Sequence, residues 1–150
     1  MTIFFDVDGV LNCKADWRNP FSINDSCLRV FAKLVHRLEK KGQVNLVLAS
    51  TWRVGISEDG NDSPQIQNLK GKLFQYGLSI SGTTPNTTMK SREEEISYYA
   101  RRHDVENYII LDDDGSLYLH PGEIPLYVTD YRTGLTEKDI RPILKMTQAL

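Results

Sequence analysis

Two aspartates separated by one residue follow a short apolar run near the start of the chain. Residues 3–5 are apolar, Asp6 comes next, and Asp8 and Gly9 complete the motif. An apolar run that ends in a turn signal predicts a buried strand. Side chains two residues apart on a strand point to the same side, so Asp6 and Asp8 can converge, and Gly9 lets the backbone turn away. Ligands of an open parallel sheet bind outside the carboxyl ends of its strands, which makes this motif a candidate site.

Taken alone, the motif fits an ordinary Asp-Gly turn equally well, so its interpretation depends on partners elsewhere in the chain. Three further polar clusters fall at predicted strand ends or helix starts. They are the stretch Ser50, Thr51, Trp52 and Arg53, then Lys90, and then the run Asp112, Asp113 and Asp114. Each has a plain structural explanation, as a strand end, as a solvated lysine, or as a helix-capping or turn run. The order and placement of all four clusters together favour a single site.

The residue types in these clusters suit phosphate chemistry. Carboxylates crowded at one point repel one another and take up protons unless a cation joins them. Mg²⁺ is the usual hard partner of such carboxylates, and it keeps room for water and a phosphate. A hydroxyl and a lysine supply hydrogen bonds and positive charge to phosphoryl oxygens, and an aspartate can attack phosphorus to form an aspartyl-phosphate.

The elements that must position these clusters alternate between strand and helix. Helical periodicity and capping signals predict helices that start at Asn24 or Asp25, at Pro64, at the Ser91 capping box, and at Thr136 or Asp139. Besides the first strand, apolar runs predict strands at residues 44–50, 108–111 and 126–128. Residues 12–20, 53–63 and 79–88 have loop composition. This alternation predicts a three-layer, Rossmann-like α/β fold with a mainly parallel central sheet.

The composition indicates one ordinary globular domain over residues 1–150. Net charge is −2 and pI is near 5.9, which argues against a strongly basic nucleic-acid surface, although a local basic patch remains compatible. No apolar run approaches the roughly 20 residues of a membrane span. No signal peptide is visible, so we expect a cytoplasmic protein. Cys13 and Cys27 predict free thiols rather than a disulfide or a metal cluster.

On these residues, the chain resembles the haloacid dehalogenase (HAD) superfamily of phosphatases and phosphotransferases. Residues 6–10 match its first motif, residues 46–50 its second, Lys90 its third and residues 109–113 its fourth. More narrowly, the stretch that begins at Ser50, the helix start after Lys90 and the late Gly-Leu-Thr are similar to a phosphatase-like subgroup. That subgroup includes domains associated with RNA-repair proteins.

The resemblance implies roles for the acids. Asp6 would be the nucleophile and a Mg²⁺ ligand. Asp8 would be the general acid and base, with its backbone carbonyl on the metal. Asp112 would hold Mg²⁺, and Asp113 would be a second ligand or lie just behind it.

The resemblance also implies roles for the substrate-binding groups. Ser50 would bind the transferring phosphoryl group, with Thr51 as the alternative because a predicted strand end is uncertain by a residue or more. Lys90 would neutralise charge on the phosphoryl group and on Asp6. Arg53 is a candidate substrate contact, with a surface role as the alternative. No role follows for Asp114.

The spacing leaves little room for a cap domain over the strand ends. Residues 12–43 and 52–89 are each nearly used up by one helix and loops, too little for a cap with its own core. An open site roofed only by Trp17, Arg18 and the loop at residues 53–63 suits a phosphate on a larger molecule, such as a nucleic-acid end or a phosphoprotein. A local basic rim for a polyanion is predicted from Arg18, Arg53, Lys70, Lys72, Arg92 and Arg132.

The sequence therefore favours a magnesium-dependent phosphohydrolase, with three alternatives. A phosphate- or metal-binding module could retain the fold without turnover, because fold alone does not establish activity. A phosphatase of small metabolites or nucleotides would share the chemistry. A receiver domain of two-component signalling also combines acids, a hydroxyl and a lysine, but its phosphorylated acid and its acid pair lie on different strands. Here the acid most like a nucleophile, Asp6, belongs to the pair itself.

Overall fold

The computed structural model of the protein describes residues 1–85 and 91–148, and within these ranges five strands and four α-helices occur. The strands are β1 (Thr2–Phe5), β2 (Asn45–Leu48), β3 (Gly82–Thr83), β4 (Tyr108–Asp112) and β5 (Leu126–Val128). The helices are α1 (Asp25–Glu39), α2 (Pro64–Gln75), α3 (Arg92–Arg102) and α4 (Glu137–Gln148). Short 3-10 helices cover Lys14–Arg18, Thr51–Gly55 and Gly115–Leu117.

The strands form one parallel sheet in the order β3-β2-β1-β4-β5. Central β1 is buried along its whole length, as an apolar strand covered on both faces must be. Its Phe5 is in register with Leu48 of β2 and Leu111 of β4, so the carboxyl ends of the three strands are aligned. The backbone N–H of Asp6 donates to the Leu111 carbonyl at 2.9 Å. The predicted α/β fold is confirmed, and its register brings Asp6 beside the end of β4.

Helices cover both faces of the sheet and make three layers. Buried residues of α1, α2 and α4 share one core with sheet residues such as Ile3 and Phe5. The opposite face carries Phe4, whose ring meets Tyr99 of α3 and Tyr108 edge-on, with ring centroids 5.6 and 5.5 Å apart. Because side chains alternate along β1, this one strand contributes to both cores.

Three stretches predicted as loops contain short ordered elements. Residues 12–20 include the 3-10 helix Lys14–Arg18, and the 3-10 helix Thr51–Gly55 extends into residues 53–63. The described part of the third stretch, residues 79–85, contains the two-residue strand β3, which pairs with β2, and residues 86–88 lie outside the described residues. The loop prediction is wrong in these parts because such short elements carry no periodicity. Pairing with a neighbour, rather than local propensity, forms β3.

The predicted helix starts agree with the observed caps. The Asn24 side chain accepts from two backbone N–H groups of α1, at 3.0 and 3.1 Å, and the Ser91 hydroxyl accepts from one of α3 at 3.2 Å. Helix α4 begins directly after Thr136, whose N–H donates to the Asp139 carboxylate at 2.7 Å. The earlier of the two predicted starts is therefore correct, and Pro142 lies inside the helix.

Within the described residues, no folded cap covers the carboxyl ends of the strands. A 3-10 helix and α1 lie between β1 and β2, and a 3-10 helix, α2 and β3 lie between β2 and residue 85. Both α-helices pack into the core beside the sheet. Across the same residues, no helix combines the length and the apolar character needed to cross a bilayer.

After β5 the chain returns to the loop that follows β1. The Leu135 N–H donates to the Val10 carbonyl at 2.9 Å, and Gly134 lies against this loop with a φ of 65°. A Cβ atom at Gly134 would lie 2.6 Å from both the Asn12 carbonyl oxygen and the Cys27 sulfur. Glycine therefore meets two requirements here, the left-handed backbone angle and the close approach.

We predict that Gly134→Ala is markedly more destabilising than Gly77→Ala. Gly77 has a similar φ of 73° but nothing within 4 Å of an added Cβ, so it carries only the backbone strain of about 1 kcal/mol. Overpacking against the β1 loop should cost Gly134→Ala about 1–3 kcal/mol more. Urea unfolding of the two variants measures the difference in free energy of unfolding. Equal losses of unfolding free energy in the two variants would contradict a role for the close approach of Gly134 to the β1 loop.

Candidate active site

Three carboxylates meet at the carboxyl ends of β1 and β4. Asp6 follows β1, Asp112 ends β4, and Asp113 comes next. Each offers one oxygen, and the three oxygens lie within 4.8 Å of one another. In the part of the chain that the structure describes, no other group of His, Cys, Asp or Glu side chains meets this condition. The structure thus brings together three of the predicted metal ligands.

Asp112 is fully buried, and three donors satisfy its carboxylate. Its Oδ2 accepts from Arg92 Nη1 and from the Tyr118 hydroxyl, both at 2.8 Å, and its Oδ1 accepts from the Asp114 N–H at 3.0 Å. The same Arg92 nitrogen lies 3.3 Å from Asp6 Oδ2. Because Arg92 is the first residue of α3, this helix places a positive charge between two of the three acids.

Asp113 has room beside the β1 turn because residue 9 is glycine. Gly9 has a φ of 79°, and a Cβ atom there would overlap the Asp113 carboxylate. The Thr129 hydroxyl donates to the Gly9 carbonyl at 2.7 Å and ties the turn to the end of β5. Asp114 is not part of the carboxylate group. Its carboxylate accepts from the Ser116 N–H at 3.0 Å and caps the 3-10 helix that follows.

Burial and mutual repulsion favour the protonated forms of two of these acids. Burial and the neighbouring Asp112 raise the pKa of Asp6 from 3.8 to about 7, although Arg92 and the Ser50 hydroxyl act in the opposite direction. Burial and Asp112 likewise raise the pKa of Asp113 to about 6. Burial also raises the pKa of Tyr118, which keeps its hydroxyl available as a donor.

The donor set fits Mg²⁺. Three carboxylates and one guanidinium carry two net negative charges when all are ionised, which matches a divalent cation. Carboxylate oxygens are the ligands that Mg²⁺ prefers. Arg92 alone leaves the pKa values of Asp6 and Asp113 raised, and a cation would remove the repulsion that keeps these two acids protonated.

Asp8 lies outside this carboxylate group and is held at both oxygens. Its Oδ1 accepts from Asn12 Nδ2 at 2.9 Å, and its Oδ2 accepts from Trp52 Nε1 at 3.1 Å. The Asn12 side chain is itself fixed, because its Oδ1 accepts from the Gly9 N–H at 2.9 Å. The Asp8 carboxylate therefore has a defined orientation two residues beyond Asp6. Metal binding by its backbone carbonyl stays a prediction.

The two candidate phosphate-binding hydroxyls lie in different environments. Ser50 is fully buried, its hydroxyl accepts from the Trp52 N–H at 3.2 Å, and its hydrogen bond lowers the pKa of Asp6. Thr51 is exposed. The structure thus brings Ser50, rather than Thr51, to Asp6. Phosphate binding by either residue stays a prediction.

Arg53 forms a buried ion pair. Its Nη2 lies 3.0 Å from Glu95 Oε1, its Nη1 donates to the Ser50 carbonyl at 2.9 Å, and both side chains of the pair are 10% exposed. This pair links the end of β2 to the first turn of α3. A direct substrate contact by Arg53 stays a prediction.

The positive charge beside the acids comes from Arg92, which the resemblance to the HAD motifs did not identify as a site residue. Lys90, the predicted phosphoryl-binding lysine, lies outside the described residues. Arg92, two positions later, was expected only in a basic rim. The capping box at Ser91 fixes where α3 begins and so signals a helix start near the strand ends. Nothing in the local sequence indicates which residues Arg92 contacts. The contacts of Asn12, Trp52 and Tyr118 are likewise not indicated by the local sequence.

Ion pairs with acidic side chains neutralise the charge of most residues in the predicted basic rim. Arg92 and Arg53 are in buried or nearly buried ion pairs. The three other paired residues are Lys70 with Asp62 at 2.6 Å, Lys72 with Asp25 at 3.0 Å, and Arg132 with Asp130 at 2.9 Å. Arg18 is exposed and makes no ion pair within residues 1–85 and 91–148.

A comparison with protein families identifies the family of the chain. The family described as the HAD domain in Swiss Army Knife RNA repair proteins matches residues 2–140. The chain belongs to this family, and thereby to the HAD-like phosphatase superfamily. The matched range includes every predicted site residue. A comparison with curated proteins finds no match.

We predict that the metal-free protein loses stability as pH rises from about 4 to about 7. The folded-state pKa of Asp6 lies above its unfolded value, so the folded state binds more protons across this window. Asp6 alone should account for on the order of 2 kcal/mol between pH 5 and pH 7. Denaturant unfolding with a chelator should show this loss in the wild type and a smaller one in Asp6→Asn. An identical pH dependence in both proteins would contradict the raised pKa.

We also predict that Mg²⁺ raises the melting temperature through the three carboxylates. At a concentration 100-fold above the dissociation constant, the gain is about 2.7 kcal/mol, or roughly 5–10 °C for a chain of this size. Asp113→Asn should remove most of the shift. Asp114→Asn is the matched control, because an asparagine can still cap the 3-10 helix and should keep the full shift. A shift that survives in Asp113→Asn would exclude this residue as a ligand.

Proposed function

We propose that the protein is a magnesium-dependent phosphohydrolase that acts on a phosphomonoester through an aspartyl-phosphate on Asp6. The observation that carries the proposal is the arrangement at the end of β1. Asp6 shares a possible metal site with Asp112 and Asp113, and the carboxylate of Asp8, two residues further along the chain, is held by Asn12 and Trp52. Neither a turn nor a helix cap requires three carboxylates within 4.8 Å of one another.

In the proposed reaction, an Asp6 oxygen attacks phosphorus while Asp8 donates a proton to the departing oxygen of the substrate. Asp8 then removes a proton from the water that attacks the phosphoryl group on Asp6, and phosphate is released. Mg²⁺, held by Asp6, Asp112 and Asp113, would supply charge stabilisation to the phosphoryl oxygens. Arg92 contributes a fixed positive charge, and Ser50 a hydroxyl, next to the attacking carboxylate.

We propose a phosphorylated nucleic-acid end, rather than a small metabolite, as the substrate. The matching family is described by RNA repair proteins, and no cap encloses the strand ends within the described residues. An open site leaves space for a substrate that extends beyond its phosphate. The acidic net charge implies modest affinity for the polyanion as a whole, so we expect recognition to be concentrated near the phosphate. We further propose that residues 1–150 act as one catalytic domain in the cytoplasm, where the free thiols of Cys13 and Cys27 would stay reduced.

A phosphate-release screen with Mg²⁺ tests the function. It should include oligonucleotides phosphorylated at the 3′ or 5′ end, free nucleotides, sugar phosphates and phosphopeptides. We expect the highest kcat/KM on an oligonucleotide. A higher value on a sugar phosphate or free nucleotide would instead indicate a small-metabolite phosphatase. Metal-dependent binding without turnover of any substrate would indicate a non-catalytic module.

We predict that Asp6→Asn lowers kcat by roughly three orders of magnitude or more, because an amide cannot attack phosphorus. Asp8→Asn should lower kcat about 10²- to 10⁴-fold on any substrate, because hydrolysis of the aspartyl-phosphate also needs Asp8 as a base. Its kcat/KM should fall less on an aryl phosphate, whose leaving group needs no proton, than on an alkyl phosphate. Asp114→Asn, a neighbour of the site with a capping role, should remain close to wild type. Near wild-type turnover by Asp6→Asn would refute the mechanism.

A further inference from the structure

A cavity of about 400 Å³ opens directly beside Asp8. Its lining consists of Asp8, Asn12, Trp17, Asn19, Pro20 and Phe21. The two aromatic side chains are unusually exposed for their type, with 41% of Trp17 and 48% of Phe21 accessible. The cavity therefore combines flat apolar walls, two side-chain amides and the carboxylate that we propose as general acid.

Each aromatic wall contacts a second ring that does not line the cavity. Trp17 stacks on Tyr131, with ring centroids 6.0 Å apart and 20° between the planes. Phe21 meets Trp52 nearly edge-on, with centroids 5.3 Å apart and 73° between the planes. The Trp17 indole also donates to Asn12 Oδ1 at 3.0 Å. These contacts favour one orientation of each ring.

The residues that support the walls are the same ones that hold Asp8. Asn12 contacts both Trp17 and Asp8, and Trp52 contacts both Phe21 and Asp8. The position of the proposed general acid and the shape of the cavity are therefore set by one framework. Phe21 also has a φ of 65°, a left-handed conformation that bulky residues rarely adopt. Such strain is typical of functional sites.

We propose that this cavity binds the nucleobase of the terminal nucleotide, the one whose phosphate is removed. The inference rests on the proposed function, because Asp8 must contact the leaving oxygen and whatever carries that oxygen must extend into the space beside Asp8. A nucleobase offers a flat face for Trp17 or Phe21 and a polar edge for the Asn19 amide. Arg18, adjacent to Trp17 and without an ion pair among the described residues, supplies a positive charge for the next phosphate of the chain.

The first test compares two oligonucleotides that differ only in the terminal phosphorylated nucleotide, which either carries its base or is abasic. The ratio of their kcat/KM values isolates the contribution of the base. From the usual strength of base–aromatic stacking, we expect the wild type to favour the base-bearing end by roughly 5- to 150-fold. A ratio near one would overturn the proposal, as would a higher kcat/KM on a phosphopeptide than on any oligonucleotide.

The key variant is Phe21→Gly, which removes the ring at a backbone angle that glycine adopts readily. We expect its ratio to fall toward one, whereas Phe21→Tyr should retain the preference. Phe74→Ala is the matched control, because Phe74 is an exposed phenylalanine on α2 that does not line the cavity. Any damage to the catalytic centre would lower kcat/KM for both substrates by the same factor. The ratio of the two values therefore reports on the base alone. A preference that persists in Phe21→Gly would contradict the assigned site.

Equilibrium binding separates this inference from the proposed function. Asp6→Asn with Mg²⁺ should bind the base-bearing oligonucleotide more tightly than the abasic one, and adding Phe21→Gly should remove the difference. That result would support the base site even if the wild type released no phosphate. Phosphate release with equal binding of the two oligonucleotides would instead retain the phosphatase and refute the base site.

Discussion

Repulsion among three closely spaced carboxylates, two buried and one half-buried, is the constraint on which the site depends. The parallel register aligns β1 with β4 and forces Asp6, Asp112 and Asp113 together at one edge of the sheet. Like charges at such distances in a poorly solvated place cannot all remain ionised unless a cation compensates them. Arg92 supplies part of this compensation, but the pKa values of Asp6 and Asp113 remain raised. A divalent cation would complete the balance, and this is the physical reason for proposing metal-dependent chemistry.

The surrounding elements meet this constraint in specific ways. Helix α3 begins where its first residue, Arg92, can reach both Asp6 and Asp112. The Arg53–Glu95 pair joins the same helix to the end of β2, so Ser50 and Arg92 belong to one connected unit. On the other side, Asn12 and Trp52 fix Asp8 and also support the aromatic cavity. The proposed proton transfer by Asp8 and the proposed recognition of the base therefore depend on the same two residues, Asn12 and Trp52.

The sequence predicts the strands, the helix starts and the acid clusters because these depend on local periodicity and capping. The sequence alone predicts that Asp6 and Asp112 lie close together, because parallel strands bring their carboxyl ends to the same edge of the sheet. Arg92 could not be assigned its partners, because its ion pairs join a helix start to two strand ends across 20 or more residues. Arg53 likewise could not be recognised as an internal ion pair, and β3 is too short to produce a pattern.

Chemical trapping of the phosphorylated protein tests the central claim most directly. Asp8→Asn should still accept a phosphoryl group from an aryl phosphate, whose leaving group needs no proton, but should release it slowly because water is no longer activated. Mass spectrometry of the acid-quenched protein should then find one added phosphoryl group, mapped to the peptide that contains Asp6 and absent from the variant that also carries Asp6→Asn. Release of phosphate with no phosphoryl group on Asp6, or with the group on another residue, would contradict the account.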